Sequence, residues 1–194
     1  SGGNGQDLVY GGSGNDVIGT SLVNSENGND IIYGDGWDDY RQQSRAIAGS
    51  DTIYGGNGSE TIYGDNGDGH ASGGNDSIYA GNGNDTVYGE GGDDTIQGGN
   101  GADLLSGGSG NDLFVYQSAM ESNSGGMDTI RDFSGVRDAN SDNDKVDLRP
   151  LLGSTDLKWG GTTSLINGVW YEQNAGQNAT YIKADTNGDG QADL

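Results

Sequence analysis

Residues 81–116 carry the segments GNGNDTVYG, EGGDDTIQG, GNGADLLSG and GSGNDLFVY, a nine-residue unit repeated four times without a break. Aligned on its acidic residue, the unit is Gly-Gly-x-Gly-x-Asp-x-U-x, where U is a large apolar side chain. Glycine tolerates the backbone angles of a tight turn that points several carbonyl oxygens inward, and the Asp adds a carboxylate. The three residues after the Asp alternate out, in and out, as in a very short strand with one core side chain. The unit therefore predicts a solenoid of short strands joined by turns that are lined with oxygen atoms.

The same spacing between acid and core residue extends through residues 1–116. An apolar residue lies two positions after ten of the eleven acids, which is too regular for a solvated acidic linker. The exception is Arg41, where the register is open, because Asp38 could be the acid and Tyr40 the core residue. The predicted acidic positions are Asp7, Asp16, Asp30, Asp39, Asp51, Glu60, Asp76, Asp85, Asp94, Asp103 and Asp112. We therefore predict an all-β chain, with a parallel β-roll over residues 1–116 and a small β-rich C-terminal capping region over residues 117–194.

The composition favours metal-dependent folding. Forty glycines in 194 residues and only 30% hydrophobic residues would indicate disorder if the period were absent. The net charge is −22, and residues 1–116 contribute 18 acids against two bases. Such a chain repels itself, whereas roughly eight bound Ca²⁺ ions would bring the repeat block close to neutrality. We expect calcium to be a structural component and folding to be coupled to its binding.

Several classes of function find no support in the sequence. The chain has no cysteine for disulfides or a zinc–thiolate site, one histidine, and no apolar run of membrane-spanning length. Ser13 and Ser109 lie in Gly-Gly-Ser-Gly-Asn segments, not in a nucleophile elbow. Basic residues are too few for nucleic acid. We expect a monomer with no catalytic residues and no enzyme activity; because the sequence begins inside a repeat, we also expect it to be part of a longer protein.

The segment DLFVYQSAMESNSGGMDTIRDFSGVRDANSDNDKVDL, residues 112–148, closely resembles the C-terminal part of serralysin-type metalloproteases and other RTX proteins exported by type I secretion. In that family a motif similar to residues 128–133 follows the last repeat, and an element similar to residues 145–148 caps the roll. The chain differs from the family in a longer acidic insert, residues 137–144, and in lacking a protease domain. The resemblance implies a secreted, extracellular protein with the type I secretion machinery as partner, but not the activity of the rest of that protein.

The resemblance also implies a β-roll with two repeats per turn and calcium between successive loops on each side. Glu60 replaces the usual Asp, and its longer side chain makes its site the least regular. Further ligand candidates are Ser72, Gly74, Asp76, Gly89 and Gly91. The ligand groups carried over are Gly81, Gly83 and Asp85 with Gly98, Asn100 and Asp103; Glu90, Gly92 and Asp94 with Gly107, Ser109 and Asp112; and Gly56, Gly58 and Glu60 with Ala80, Asn82 and Asp85.

The end of the chain predicts a hairpin and a possible further metal site. Residues 168–173 and 180–184 have strand character and flank a turn at 174–178, and Trp159 and Trp170 are expected to pack in a small core. Acidic and amide residues near the terminus match the first nine positions of an EF-hand loop, without the bidentate Glu or flanking helices. Either a calcium site of looser form or a purely structural segment fits this pattern. The candidate ligands are Asp185, Asn187, Asp189 and Asp193.

Two surfaces outside the metal sites have alternative explanations. Insertions near residues 19–25, 41–48 and 68–73 are predicted to share one edge of the roll, either as a ligand-binding edge or as tolerated loops. Tyr10, Tyr33, Tyr54 and Tyr79 are predicted to line one sheet, with Tyr63 and Tyr88 on the other. This array could contact a polysaccharide or order water on ice, or could reflect only the preference of Tyr for strands.

The sequence therefore predicts a calcium-binding module that folds on Ca²⁺ outside the cell and supports the type I secretion and stability of a larger secreted bacterial protein. The alternative is a carbohydrate-binding module of a secreted polysaccharide-active enzyme or adhesin. Ice binding is a remote third hypothesis.

Overall fold

The computed structural model describes residues 5–19, 28–35, 49–67, 73–122, 126–133, 143–152, 158–159, 168–174 and 179–184. Most of these residues belong to a roll of twelve short strands, each following a repeat acid or its equivalent. The strands are β1 (Leu8–Gly12), β2 (Val17–Ile18), β3 (Ile31–Asp35), β4 (Thr52–Asn57), β5 (Thr61–Tyr63), β6 (Ser77–Asn82), β7 (Thr86–Gly91), β8 (Thr95–Asn100), β9 (Leu104–Ser109), β10 (Leu113–Val115), β11 (Thr129–Ile130) and β12 (Lys145–Asp147).

The strands alternate between two six-stranded parallel sheets. The first sheet has the order β1-β3-β5-β7-β9-β11, and the second has the order β2-β4-β6-β8-β10-β12. Each strand is hydrogen-bonded to the strand two places along the chain, so one full turn of the roll uses two repeats. The parallel β-roll predicted from the nine-residue unit is confirmed.

The core is a single column of apolar side chains between the sheets. Strands such as β4 and β7 alternate between partly exposed and buried residues, as the out-in-out pattern predicts. Each fully buried Ile contributes about 1.5–3 kcal/mol to the free energy of unfolding. Val9, Ile130 and Val146 pack against this column at its ends. The buried members of the column are Ile18, Ile32, Ile53, Ile62, Ile78, Val87, Ile96, Leu105 and Phe114.

The repeat predicted at Asp39 is wrong as a turn of the roll. Strand β3 pairs directly with β1 and β5, and β4 pairs directly with β2 and β6, so neither sheet has a place for a further strand between these described strands. Asp39 itself lies outside the described residues. The residue at the core position of this repeat, Arg41, already argued against it, because a charged side chain is costly in a column of buried Ile residues.

Removing that turn changes the predicted arrangement of the tyrosines. Successive strands alternate between the sheets, so one extra predicted repeat assigns every earlier strand to the wrong sheet relative to the later ones. The prediction that Tyr10, Tyr33, Tyr54 and Tyr79 share a sheet is therefore wrong. The registers instead place four tyrosines in the first sheet and two in the second. The first sheet carries Tyr10, Tyr33, Tyr63 and Tyr88, and the second carries Tyr54 and Tyr79.

The repeat acids lie where the chain crosses between the sheets, and they define two edges. Edge 1 contains the acids that precede strands of the first sheet, and edge 2 contains those that precede strands of the second. The predicted acids on edge 1 are Asp7, Asp30, Glu60, Asp85 and Asp103. Those on edge 2 are Asp16, Asp51, Asp76, Asp94 and Asp112.

The predicted clustering of insertions on one edge is also wrong. The connection from β2 to β3 leads into the first sheet and crosses edge 1. The connections from β3 to β4 and from β5 to β6 lead into the second sheet and cross edge 2. The inserted segments, with Arg41, Arg45 and His70, lie outside the described residues. The prediction failed because it rested on the same miscounted turn.

Both sheets extend beyond the boundary predicted at residue 116. Strand β11 pairs with β9, and β12 pairs with β10, so the segments expected to cap the roll form its last turn. A short helix, α1 (Arg149–Leu152), follows β12. A separate sheet contains β13 (Lys158–Trp159), β14 (Gly168–Asn174) and β15 (Ala179–Ala184). β14 and β15 are antiparallel, which confirms the predicted hairpin. The side chains of Trp159 and Trp170, and the candidate ligands between residues 185 and 193, lie outside the described residues.

Candidate metal sites along the two edges

From the second turn of each edge onward, one oxygen of each repeat Asp accepts a hydrogen bond from the backbone of the preceding turn. On edge 1, the N–H of Asp85 donates to Oδ1 of Asp103 at 2.9 Å. On edge 2, the N–H of Asp94 donates to Oδ1 of Asp112 at 2.9 Å. The same bond joins Asp51 to Asp76 on edge 2 at 2.8 Å. These bonds fix the rotamer of each carboxylate and space successive acids by one turn of the roll.

The second oxygen of these carboxylates has no hydrogen-bond partner, although it is buried. A buried, unpartnered carboxylate oxygen is expensive, because burial removes the water that would solvate its charge. These oxygens recur along both edges. They are Oδ2 of Asp7, Asp16, Asp51, Asp76, Asp85, Asp94, Asp103, Asp112 and Asp128.

Backbone carbonyl oxygens lie beside these carboxylates. Gly81 and Gly83 have φ values of +116° and +138°, and a Cβ atom on either would overlap the carbonyl oxygen of Gly56 or Gly58 in the preceding turn on the same edge. A Cβ atom on Gly98 would overlap Oδ2 of Asp103. Glycine is therefore required both for the turn and for the close approach of carbonyl and carboxylate oxygens. An all-oxygen lining of this kind suits a hard cation such as Ca²⁺.

Burial raises the pKa values of Asp76, Asp94 and Asp103 on the two edges. The pKa of Asp94 rises from 3.8 to about 9, first through burial and then through the charges of Asp76 and Asp112, against a lowering hydrogen bond from the N–H of Asp76. The pKa of Asp76 rises to about 8, and that of Asp103 to about 7, again mainly through burial. Carboxylates at these positions are therefore unfavourable at neutral pH unless a cation compensates their charge.

A pH-dependence follows for the metal-free protein. The unfolded chain keeps Asp pKa values near 3.8, whereas folded values reach about 6 for Asp51 and about 9 for Asp94. Protonation therefore favours the roll: this stabilisation is complete below the unfolded pKa and is lost as the pH rises through the folded values. We expect metal-stripped protein to gain β-type circular dichroism when the pH falls from about 8 to about 4. A spectrum without calcium that does not change with pH would contradict this expectation.

Glu60 is the irregular member of edge 1. It is 2% exposed, and neither of its carboxylate oxygens accepts a hydrogen bond. Its pKa rises from 4.5 to about 8, first through burial and then through the charge of Asp85. The N–H of Glu60 donates to Oδ1 of Asp85, so the backbone keeps the regular spacing while the longer side chain departs from it. The side chain of Glu60 is therefore irregular, as its replacement of Asp in the sequence predicted.

The fold brings together the acids of the predicted ligand groups, whose full ligand sets stay a prediction. Asp85 and Asp103 lie in adjacent turns on edge 1, as do Glu60 and Asp85, while Asp94 and Asp112 are adjacent on edge 2. Within the described residues, no group of three carboxylate or imidazole side chains converges as a metal site. Any ion between two turns would therefore depend on backbone carbonyls as well as on side chains. Asp39, Ser72, Asp185, Asn187, Asp189 and Asp193 lie outside the described residues.

Sequence reasoning missed the acids of the last turn. The N–H of Asp103 donates to Oδ1 of Asp128 at 2.9 Å, and the N–H of Asp112 donates to Oδ1 of Asp144 at 3.0 Å. Both acids precede a core residue by two positions, Ile130 and Val146, which is the signal that would have found them. The nine-residue period hid them because longer segments separate them from Asp112.

The tyrosines form close stacks on the outer faces of the roll. Ring centroids in the first sheet are 5.0, 4.8 and 5.0 Å apart along the series Tyr10, Tyr33, Tyr63 and Tyr88, with interplanar angles of 11°, 5° and 15°. Neighbouring rings therefore cover each other's faces and turn their edges outward. Stacking on a sugar requires an open ring face, so this geometry gives polysaccharide binding no support and agrees with cross-strand packing. Glycan binding stays a prediction.

The comparisons with known proteins agree with the geometry of the edges. No helix within the described residues is long and apolar enough to cross a membrane. No curated protein sequence matches the chain significantly. A family model described as the RTX calcium-binding nonapeptide repeat (4 copies) matches residues 1–18, 19–40, 48–71, 69–96 and 79–114, which together cover more than half of the 194 residues. The chain therefore belongs to the family of RTX calcium-binding nonapeptide-repeat proteins.

Proposed function

We propose that this chain is a calcium-driven folding module of a larger secreted bacterial protein. At low cytosolic calcium it stays unfolded and competent for type I secretion, and outside the cell Ca²⁺ drives the roll to fold. The module has no catalytic activity of its own in this proposal. Its contribution to the parent protein is calcium-dependent stability after export.

The observation that carries the proposal is the column of unpartnered carboxylate oxygens on each edge. No Lys or Arg lies within the described part of residues 5–116, so no basic side chain there compensates these charges. Six acids on each edge, including Asp128 and Asp144, define five intervals between successive turns. The roll thus offers ten such intervals, close to the roughly eight ions expected from the sequence.

Calcium binding to the folded state alone shifts the folding equilibrium by mass action. Because the ligands come from different turns, the unfolded chain does not hold them together, and the free energy of binding becomes free energy of folding. A cell interior with little free calcium and a calcium-rich exterior would therefore favour opposite states of the same chain. This difference supports a role in export.

An export assay tests the proposal. The chain is placed between a passenger protein and the secretion signal of a type I exporter, and the secreted product is treated with protease in millimolar Ca²⁺. We expect the unchanged chain to be protease-resistant, and a variant with Asp85, Asp94, Asp103 and Asp112 replaced by Asn to be degraded and recovered in lower yield. The reason is that the variant loses the negative charge of four edge carboxylates on which calcium binding would depend.

Asp93→Asn is the matched control, because Asp93 is exposed and its Oδ1 accepts hydrogen bonds from Asn111, which the amide oxygen of Asn can also accept. This control should behave as the unchanged chain does. Equal yield and equal protease resistance of the four-site variant would overturn the proposed role.

A further inference from the structure

One position of the edge 2 loops carries acids where glycine stands elsewhere. It is the second position of the nine-residue unit, four residues before the repeat acid in an uninterrupted turn. On edge 1, the strand registers align Gly56, Gly81 and Gly99 at this position. On edge 2, three successive turns depart from glycine between Gly12 and Gly108. The residues at this position on edge 2 are Gly12, Asp35, Asp65, Glu90 and Gly108.

Asp35 and Asp65 are matched in sequence and burial. Each follows a Tyr-Gly pair at the end of a first-sheet strand, and their exposed fractions are 1% and 5%. Each accepts a hydrogen bond from the glycine that lies two residues before the next repeat acid. The N–H of Gly49 donates to Oδ2 of Asp35 at 3.1 Å, and the N–H of Gly74 donates to Oδ1 of Asp65 at 3.0 Å.

The second oxygens of these two carboxylates differ. Oδ2 of Asp65 accepts a hydrogen bond from the N–H of Gly91 in the following turn, at 3.1 Å. Oδ1 of Asp35 is buried and accepts none. The side chain of Asp65 is thus used by two backbone N–H groups, whereas that of Asp35 has one oxygen left for another ligand.

The surroundings of that oxygen are acidic. Oδ2 of Asp51, the repeat acid of the same turn, is also buried and unpartnered, and a Cβ atom on Gly34, next to Asp35, would lie 2.5 Å from it. The charges that act on Asp35 are those of Asp51, Asp65 and Asp16, all of the same sign. Two buried, unpartnered carboxylate oxygens on this part of edge 2 are costly at neutral pH unless a cation compensates their charge.

We propose that Asp35 binds a calcium ion through Oδ1, together with Asp51, on edge 2 between the end of β3 and the start of β4, and that Asp65 at the same position of the next turn does not bind metal. The inference rests on the calcium binding of the module and adds to it a side-chain ligand that the repeat unit lacks. Calcium affinity rises with the number of charged ligands, so this site binds more tightly than one held by repeat acids and carbonyls alone.

The test counts bound ions in Asp35→Asn and Asp65→Asn. Native mass spectrometry and competition with a calcium chelator measure the number and affinity of bound Ca²⁺, and circular dichroism at saturating Ca²⁺ checks folding. We expect Asp35→Asn to retain one tightly bound ion fewer than the unchanged chain. Asp65→Asn should keep the full number but unfold at a lower temperature, because the Asn amide can accept only one of the two N–H bonds.

If Asp35→Asn does not fold, Asp35→Gly replaces it, since glycine occupies this position at Gly12 and Gly108. The same loss of one tightly bound ion is expected, because glycine leaves only the repeat acids and carbonyls of a regular turn. An unchanged number of tightly bound ions in the Asp35 variants, or an equal loss in Asp65→Asn, would overturn this inference while leaving the proposed function intact. An unchanged chain that binds no calcium would instead overturn the proposed function as well.

Discussion

Gly83→Ala is expected to prevent most of the calcium-driven folding of the roll. Gly83 has a φ of +138°, and a Cβ atom there would overlap the carbonyl oxygen of Gly58 in the preceding turn. Relief of this overlap separates the two turns and weakens the hydrogen bond from the N–H of Glu60 to Asp85. We expect a loss of about 4 kcal/mol or more in the free energy of unfolding at saturating Ca²⁺, measured by thermal or denaturant unfolding.

Gly14→Ala is the matched control for backbone strain. Gly14 occupies the same position of the repeat unit and also has a positive φ, +91°, but a Cβ atom there would meet no atom within 4 Å. This variant should lose only about 1–2 kcal/mol, the cost of a left-handed backbone for a residue with a side chain. Equal losses in the two variants would show that strain, and not the close approach of successive turns, requires the glycines.

The core column and the regular repeat acids were predictable because these two sets of residues keep a fixed offset. Ile53, Ile78 and Ile96 each lie two positions after an acid, and all three are fully buried in the second sheet. A period of nine residues with one buried side chain fits only a short strand followed by a tight turn. The sequence therefore contained the β-roll and the identity of its regular acids.

The count of turns was not predictable from the acids alone. The segment Gly34-Asp35-Gly36-Trp37-Asp38-Asp39 imitates the repeat unit, although β3 pairs directly with β1 and β5 and leaves no place for a further strand between them. Because strands alternate between sheets, one false turn reversed the sheet assignment of the tyrosines before it. Only the hydrogen-bonded registers of β3 and β5 resolve this, since pairing at a distance leaves no local signal in the sequence.

The distinction between Asp35 and Asp65 also required the structure. Both follow Tyr-Gly and both are buried, so no local pattern separates them. What differs is a hydrogen bond from Gly91, which belongs to the next turn and lies 26 residues away from Asp65 in the chain. Contacts between turns therefore decide which carboxylate oxygen is available to a cation.

The removal of calcium is the change with the broadest expected effect. Buried carboxylate oxygens without a hydrogen-bond partner recur along both edges, so the folded state without metal carries an unfavourable charge there. The loss of stability on calcium removal spreads from turn to turn, since adjacent turns are hydrogen-bonded to each other through the repeat acids. We expect the metal-free chain to be unfolded at neutral pH and to fold cooperatively as calcium is added.

The most direct measurement is a calcium titration of chelator-treated protein at neutral pH, followed by far-ultraviolet circular dichroism and by hydrodynamic radius. A random-coil spectrum and a large radius without metal, and a cooperative gain of β signal with compaction in millimolar Ca²⁺, are the predicted results. Mg²⁺ should substitute poorly, because it requires strict octahedral geometry and retains its waters. A chain that is compact and β-rich at neutral pH in the presence of chelator, and unchanged by Ca²⁺, would contradict the account.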